Sequence, residues 1–223
     1  LPIEWDEGPN AKASSAEVAA ILKAGLDAPE AAVGNSQGNA KAALASAARK
    51  IEAVYAYPHQ NHATMEPMNA TVRWTPERCE VWTPTQNGEA ALAATAEAAG
   101  LPARQCEVYK IHLGGGFGRR GMTDWIRQAV EIAKQMPGTP VKLLWTREED
   151  MQHGRYHPVT QCKMQAGLDA QGNITALHMR LSGQSILAGV NPQGVQNGRD
   201  PVAFQGLLPS GAEGTFGYTI SNL

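Results

Sequence analysis

The chain has 223 residues, a formal net charge of −2 at neutral pH and a hydrophobic fraction of 43%. A chain of this length buries about 70% of the surface that it exposes when unfolded, which allows one large domain or one domain with part of another. The pI near 6.3 and the lack of a basic block argue against a nucleic-acid partner, and the sequence has no run of about 18 apolar residues that could cross a membrane.

Hydrophobic periodicity predicts an α+β fold in which mixed sheets pack against helices. A capping box at Ser14 and Glu17 predicts a helix to about residue 28. The other elements are expected in this order: a helix over 41–49, a strand over 51–57, a hairpin of strands 70–74 and 79–82, a helix over 86–99 capped by Thr85, a strand over 105–112, a helix over 124–136, a strand over 141–145, and a hairpin of strands 160–168 and 174–181.

The remaining segments bear on the domain organisation. Residues 185–214 are expected to be irregular, residues 2–5 to end one strand and residues 218–223 to begin another. Because neither end has the polar linker that usually marks a domain boundary, we expect the chain to be an internal piece of a longer polypeptide. Residues 1–50 are expected to be the end of a preceding α/β domain with a linker helix. Residues 51–223 are expected to be a second domain, incomplete at its C-terminus.

Cysteines and histidines offer no metal site in the sequence. Cys79, Cys106 and Cys162 are an odd and scattered set, which argues against a disulfide framework or a local zinc or iron–sulfur site. We expect them to be small buried hydrophobes. His59 and His62 follow a proline and an extended run, so a structural role is favoured over metal ligation and no metal ligand is assigned.

The most informative feature is the segment 112–120, which reads HLGGGFGRR. Glycines let a backbone approach a ligand closely, and a helix that follows adds free N–H donors at the positive end of its dipole. Phe117 could pack against a ring, and the guanidinium groups of Arg119 and Arg120 have a geometry that suits phosphates. The segment fits either a site for a large phosphate-bearing cofactor or a tight turn between a strand and a helix with no ligand.

Residues 116–121 also match the dinucleotide fingerprint G-x-G-x-x-G. Arginines occupy the two positions where a helix should pack on its sheet, and no acidic residue follows about 20 residues on to bind a ribose hydroxyl. A nicotinamide dehydrogenase therefore remains a minor alternative, beside a binding or structural domain without catalysis.

Several flanking motifs turn this weak signal into a family resemblance. They are YPHQNHATMEPMN at 57–69, VWTPTQN at 81–87, PVKLLWTREEDM at 140–151 and GRYHP at 154–158. In this order and spacing, over nearly the whole chain, they resemble the molybdenum-cofactor-binding subunit of the xanthine dehydrogenase/aldehyde oxidase family, in the branch of the isoquinoline 1-oxidoreductase β subunit. The resemblance implies that residues 51–223 fold like the first molybdenum-cofactor-binding domain of these enzymes.

The resemblance also implies a set of site residues. The cofactor-binding residues that it implies are Gln60, Gly115, Gly116, Phe117, Gly118 and Arg119. In the family, a glutamine at the position of Gln60 donates a hydrogen bond to an oxygen ligand of molybdenum. Gln86 matches a family Thr-x-Gln, although a place at the start of a helix explains it equally well. Glu66 could be a general base, but a structural carboxylate that accepts backbone donors is favoured.

The implied chemistry is hydroxylation of an aldehyde or an N-heterocyclic aromatic carbon, with water as the oxygen source. The implied cofactor is molybdopterin with molybdenum, in its cytosine dinucleotide form. The family's glutamate base lies beyond the C-terminus of this chain, so no catalytic residue is assigned and the isolated chain is expected to be inactive. Electrons would pass to a small partner subunit with [2Fe–2S] clusters, and a cytochrome c is one candidate acceptor. The bacterial cytoplasm and the periplasmic face of the inner membrane both remain open.

Overall fold

The computed structural model describes residues 4, 6, 8–207 and 216–223. The helices are α1 (Ser15–Leu26), α2 (Ala40–Ser46), α3 (Gly88–Ala99), α4 (Asp124–Lys134), α5 (Arg147–His153) and α6 (Ile186–Val190). The strands are β1 (Arg49–Tyr57), β2 (Gln60–Asn61), β3 (Asn69–Trp74), β4 (Cys79–Thr83), β5 (Cys106–Lys110), β6 (Val141–Leu144), β7 (Tyr156–His157), β8 (Thr160–Leu168) and β9 (Ile174–Gly183). Within these residues, no helix has the length and apolar character needed to cross a bilayer.

Two compact units divide the chain. One comprises residues 1–59 and 158–223, and the other comprises residues 60–157. The first unit is discontinuous because β1 pairs along its whole length with β8, more than a hundred residues later in the chain. The division that the sequence suggests near residue 50 is therefore not the division between these units. The assignment of residues 1–50 to a preceding domain stays a prediction.

The first unit is built on an antiparallel sheet with the strand order β1-β8-β9, and α1 and α2 pack against β8 and β9. The turn between β8 and β9 forms as the sequence predicts. The Asp169 carboxylate accepts hydrogen bonds from the backbone N–H groups of Gln171 at 2.9 Å and Asn173 at 2.8 Å. These bonds explain why an Asp and an Asn bracket this tight turn.

The second unit is built on a mixed sheet with the strand order β5-β4-β3-β6, in which only β4 and β5 are parallel. Helices α3 and α4 pack on this sheet and on each other, and they enclose its apolar core. The largest buried apolar side chains of this core are Trp125, Met68, Ile126, Val72, Val81 and Val130. The Trp125 indole donates a hydrogen bond to Thr83 Oγ1 at 3.0 Å, so its one polar atom is satisfied inside the core.

The α+β class is confirmed, three expected details differ and one lies largely outside the described residues. Helix α3 begins at Gly88 with Asn87 as its cap, because the Asn87 amide oxygen accepts from the Ala90 N–H at 3.0 Å. The prediction of Thr85 as the cap is therefore wrong. The helix expected over 41–49 ends earlier, at Ser46. Residues 218–223 contain no assigned strand, although Leu223 exchanges two backbone hydrogen bonds with Gln37. The strand expected over 2–5 falls largely outside the described residues.

All three cysteines are free thiols. Cys79 and Cys162 are buried, as expected, whereas Cys106 is only half-buried. Burial raises the pKa of the Cys79 thiol to about 12, so this residue behaves as a small hydrophobe in the core.

Candidate cofactor site

The glycine loop, defined as residues 114–118, connects the end of β5 to a short 3-10 helix at Arg119–Gly121. Its backbone takes positive φ angles at Gly115 (96°), Phe117 (54°) and Gly118 (99°). A positive φ is unusual for phenylalanine and marks a conformation that the surroundings must hold in place. Phe117 is 69% exposed, so its ring is free to meet a ligand rather than the core.

Glu66 holds the first half of the loop. Its Oε2 accepts the Gly114 N–H at 2.9 Å and its backbone N–H donates to the Gly114 carbonyl at 3.1 Å. Its Oε1 accepts from the Asn69 amide at 2.9 Å. A Cβ atom on Gly114 would lie 2.3 Å from the Glu66 Cβ, so this close approach requires glycine. The favoured interpretation of Glu66 as a structural carboxylate is confirmed.

Gln86 holds the second half of the loop. Its Oε1 accepts the N–H groups of Gly118 at 3.1 Å and Arg120 at 3.2 Å, and its own N–H donates to the Arg120 carbonyl at 3.0 Å. Because both acceptor contacts fix the amide oxygen, the Nε2 group of this exposed residue is left as the donor. The sequence alone could not separate this contact from a role at the start of helix α3.

Arg119 turns away from the loop surface. Its side chain is fully buried and pairs with the Asp124 carboxylate through two bonds of 2.9 and 2.7 Å. The guanidinium also lies 5.4 Å from the ring centre of Trp125 and 5.5 Å from that of Trp145. The expectation that this cation faces a phosphate is therefore wrong for the side chain. Binding through the Arg119 backbone stays a prediction.

Arg120 is also fully buried, and it reaches back beneath the loop. Its Nε donates to the Gly115 carbonyl at 2.7 Å, and its Nη2 donates to the Glu66 carbonyl at 2.5 Å and to Glu66 Oε2 at 3.0 Å. Burial lowers the pKa of Arg120, and the negative charge of Glu66 opposes this effect. Like Arg119, this guanidinium is not presented to a ligand.

The backbone donors of the loop differ in whether they are bonded. The N–H groups of Gly115, Gly116 and Phe117 have no acceptor among the described residues, whereas those of Gly114, Gly118 and Arg119 are all bonded. Phe117 is exposed, Gly115 is half-buried and Gly116 is buried. Successive backbone N–H groups in a loop of alternating handedness form a concavity suited to anions and other oxygen-rich groups. The role of residues 115–118 in cofactor binding stays a prediction.

Near Gly118 the structure places His62 rather than Gln60. A Cβ atom on Gly118 would lie 3.8 Å from His62 Nε2, while the exposed Gln60 pairs in β2 with His157 of β7. The His62 Nδ1 lies 3.1 Å from the Arg155 carbonyl oxygen, and its ring centre lies 4.0 Å from that of His157. Burial lowers the pKa of His62, and the neighbouring His157 lowers it further. The role of Gln60 in cofactor binding stays a prediction.

The sheet gives the dinucleotide interpretation no support. A dinucleotide site needs a strand, a helix and an adjacent parallel strand around its glycine turn. Here β5 precedes the loop and α4 leads to β6, but β4 and β3 lie between β5 and β6. No group of three or more histidine, cysteine or acidic side chains in the described part of the chain could hold a metal ion.

Comparison with known families identifies the family of this chain. A family model described as "Molybdopterin cofactor-binding domain" matches residues 26–185, which include every residue of the glycine loop. The chain belongs to this family. The family resemblance seen in the sequence motifs is thereby confirmed.

Two curated relatives are each 29% identical to the chain over the aligned residues. The aldehyde oxidoreductase molybdenum-binding subunit PaoC of Escherichia coli O157:H7 is 29% identical over 178 residues, which cover 79% of this chain and 24% of that protein. The isoquinoline 1-oxidoreductase subunit beta of Brevundimonas diminuta is 29% identical over 133 residues, which cover 59% of this chain and 17% of that protein. The chain thus spans about a quarter or less of the length of these relatives.

Solved structures show the same fold. Quinoline 2-oxidoreductase from Pseudomonas putida 86 matches 72% of this chain and 22% of its own with a TM-score of 0.55 and 21% identity. Aldehyde oxidoreductase from Desulfovibrio gigas matches 65% of this chain and 16% of its own with a TM-score of 0.51 and 19% identity. These matches confirm the expected fold of a molybdenum hydroxylase domain.

Proposed function

We propose that this chain forms part of the cofactor site of a molybdenum hydroxylase, which oxidises an aldehyde or an N-heterocyclic aromatic carbon and takes the oxygen from water. The observation that carries this proposal is a glycine loop with three N–H groups that have no acceptor among the described residues, in a chain that belongs to the molybdopterin cofactor-binding family. The two substrate classes come from relatives that are named an aldehyde oxidoreductase and an isoquinoline 1-oxidoreductase.

The residues present fit such a cofactor. The exposed side of the loop offers donors and one aromatic face, which suit the oxygen atoms and the fused rings of molybdopterin. Gly115, Gly116, Phe117 and Gly118 would hold it, together with the backbone of Arg119. When bound, the molybdenum group supplies the oxygen that enters the substrate and accepts two electrons. We take the cofactor to be the cytosine dinucleotide form.

Two glutamines are candidates for the amide that donates to an oxygen ligand of the metal. Gln60 is the candidate from the family resemblance. Gln86 is favoured by geometry, because its Oε1 is held by the N–H groups of Gly118 and Arg120 and its Nε2 is left as a donor beside the loop. An amide held in this way can donate to an oxygen atom without competing to bind the metal.

Catalysis would need residues outside this chain. Glu66, the acid nearest to the loop, already accepts hydrogen bonds from Gly114, Asn69 and Arg120 and is not placed to take a proton from a substrate. The family resemblance implies a proton-accepting glutamate in a later part of the polypeptide, so we expect that the isolated chain does not turn over. Electrons would leave through a small [2Fe–2S] subunit, with a cytochrome c as one possible final acceptor.

The proposal is tested on the longer polypeptide that contains this chain, purified with its natural partners. We expect equimolar molybdenum, and ¹⁸O from labelled water in the carboxylic acid formed from benzaldehyde or in the lactam formed from isoquinoline. Absence of both molybdenum and label would overturn the proposal. Molybdenum binding without turnover of any aldehyde or heterocycle would instead favour a binding domain without catalysis. The isolated 223-residue chain is the negative control. Any turnover by it would refute the proposal that the proton-accepting glutamate lies outside this chain.

A further inference from the structure

We infer that Arg120 is a positioning residue of the cofactor site, which fixes the Gly115–Gly116 peptide so that the N–H of the buried Gly116 points away from the guanidinium. The expected effect on the cofactor rests on the proposed function, whereas the contacts of Arg120 do not depend on it. A trans peptide bond is planar. In a trans peptide, the carbonyl of one residue and the N–H of the next point in opposite directions.

Each of the unbonded N–H groups, those of Gly115, Gly116 and Phe117, follows a carbonyl that accepts a hydrogen bond. The Gly114 carbonyl accepts from the Glu66 N–H at 3.1 Å, and the Gly116 carbonyl accepts from the Arg119 N–H at 2.9 Å. The Gly115 carbonyl accepts from Arg120 Nε at 2.7 Å. Of these three anchors, only the one on Gly115 comes from a side chain. Arg120 therefore fixes the direction of the Gly116 N–H, and a substitution can remove this control without changing the backbone.

We expect the buried guanidinium of Arg120 to fix the geometry of the glycine loop more than it stabilises the fold. Its Nη1 is buried and has no hydrogen-bond acceptor among the described residues. Burying a guanidinium has a desolvation cost, and a buried ion pair often contributes little to the free energy of folding. What the guanidinium does supply is a planar fork that reaches the Gly115 carbonyl, the Glu66 carbonyl and the Glu66 carboxylate together. Glu66 is the counter-ion of Arg120 and also accepts the Gly114 N–H, so the Glu66–Arg120 pair holds the Gly114 N–H and the Gly115 carbonyl together.

Arg119 provides a matched control. It is the neighbouring residue, it is equally buried and it is also paired with one carboxylate, that of Asp124. Its side chain, however, bonds to the start of helix α4 and not to the loop. If burial of an arginine pair were all that mattered, Arg119→Met and Arg120→Met would behave alike.

The first measurement uses backbone NMR of the ¹⁵N,¹³C-labelled chain without cofactor. In Arg120→Met we expect the Gly116 amide order parameter to fall from about 0.85 to below about 0.6, with a changed Gly115 carbonyl shift. Both values should stay unchanged in Arg119→Met, and resonances of helix α3 should stay in place in both variants. Arg120→Lys keeps the charge but lacks the fork, so we expect an intermediate loss of order. It also provides the test if Arg120→Met does not fold. An ordered Gly116 amide in a folded Arg120 variant would overturn the inference.

The second measurement is the molybdenum content of the longer polypeptide after dialysis. We expect Arg120→Met to retain cofactor about tenfold more weakly than the wild type, because one hydrogen bond to an anionic group is lost. Wild-type retention by Arg120→Met would overturn the link between Arg120 and the cofactor. A wild-type polypeptide without molybdenum would refute the proposed function, and the NMR result would still decide whether Arg120 positions the loop.

Discussion

Replacement of Gly116 by alanine tests how the loop is held. A Cβ atom at this position would lie 2.6 Å from both Cδ and Oε1 of Gln86, closer than real Cβ contacts allow. The clash is with the end of a flexible side chain and not with backbone, so the amide can swing away. It would then lose its two hydrogen bonds, to the N–H groups of Gly118 and Arg120.

The expected cost follows from these two bonds. Each contributes about 0.5–1.5 kcal/mol to the free energy of unfolding, so their loss costs about 1–3 kcal/mol. Alanine restricts the unfolded chain and offsets about 0.4–1 kcal/mol of this. Gly116→Ala should therefore lower the free energy of unfolding by about 1.3 kcal/mol, and by no more than about 2.6 kcal/mol. Urea unfolding followed by far-UV circular dichroism and tryptophan fluorescence measures this change.

Gly121→Ala is the matched control. Gly121 lies in the adjoining 3-10 helix, has no positive φ, and has open space where the methyl group would stand. This variant should be as stable as the wild type or more stable by up to about 1 kcal/mol. If the two variants unfold at the same urea concentration, the Gln86 contacts do not hold the loop and the reasoning fails.

Three further predictions concern the second unit. Trp125→Ala should lower the free energy of unfolding by about 3–5 kcal/mol, because a fully buried indole and its hydrogen bond to Thr83 are lost. A decrease below about 1 kcal/mol in urea unfolding would contradict the packing described. The lowered pKa of His62 means that the unfolded chain binds its proton more tightly, so this residue stabilises the fold above about pH 6.5 and this contribution is lost as the pH falls below that value. His62→Asn should show a smaller loss of stability than the wild type between pH 7 and pH 5 in the same unfolding assay, and identical losses would refute the assignment. Iodoacetamide at pH 8 should alkylate the half-buried Cys106 of the folded chain well before the buried Cys79, as peptide mass spectrometry would show, and the reverse order would contradict their placement.

The sequence predicted helices, strands and turns well where their ends are fixed by hydrogen bonds between residues close together in the chain. Ser14 caps helix α1 by accepting the Glu17 N–H, and Asp169 closes the turn between β8 and β9, both within four residues along the chain. The choice of Thr85 as a helix cap failed because the helix begins at Gly88, two residues later than predicted. Asn87 took that role, while the Thr85 hydroxyl accepts the N–H of Asn87.

The site shows where sequence reasoning is limited. The glycines predicted a close backbone approach, and the structure has it. The charge of the two arginines suggested a phosphate, but both side chains turn inward and pair with carboxylates. The direction of Arg120 could not be predicted, because its partner Glu66 lies 54 residues away. Arg119 pairs with Asp124 only five residues along the chain, a local contact that the sequence analysis did not consider. Gln86 was marked by a family Thr-x-Gln, but its place at the start of a helix explained it equally well, and its bond to Gly118 spans 32 residues.

The three residues that shape the glycine loop, Glu66, Gln86 and Arg120, come from separate parts of the chain. Bringing them together closes segments of 34 and 54 residues, each with its own entropic cost. Contacts this far apart in sequence form late during folding. The loop should therefore acquire its shape only after the sheet and helices of the second unit have assembled. In a nascent or misfolded chain the same glycines would be a flexible stretch, so we expect insertion of a cofactor to discriminate between finished and unfinished protein.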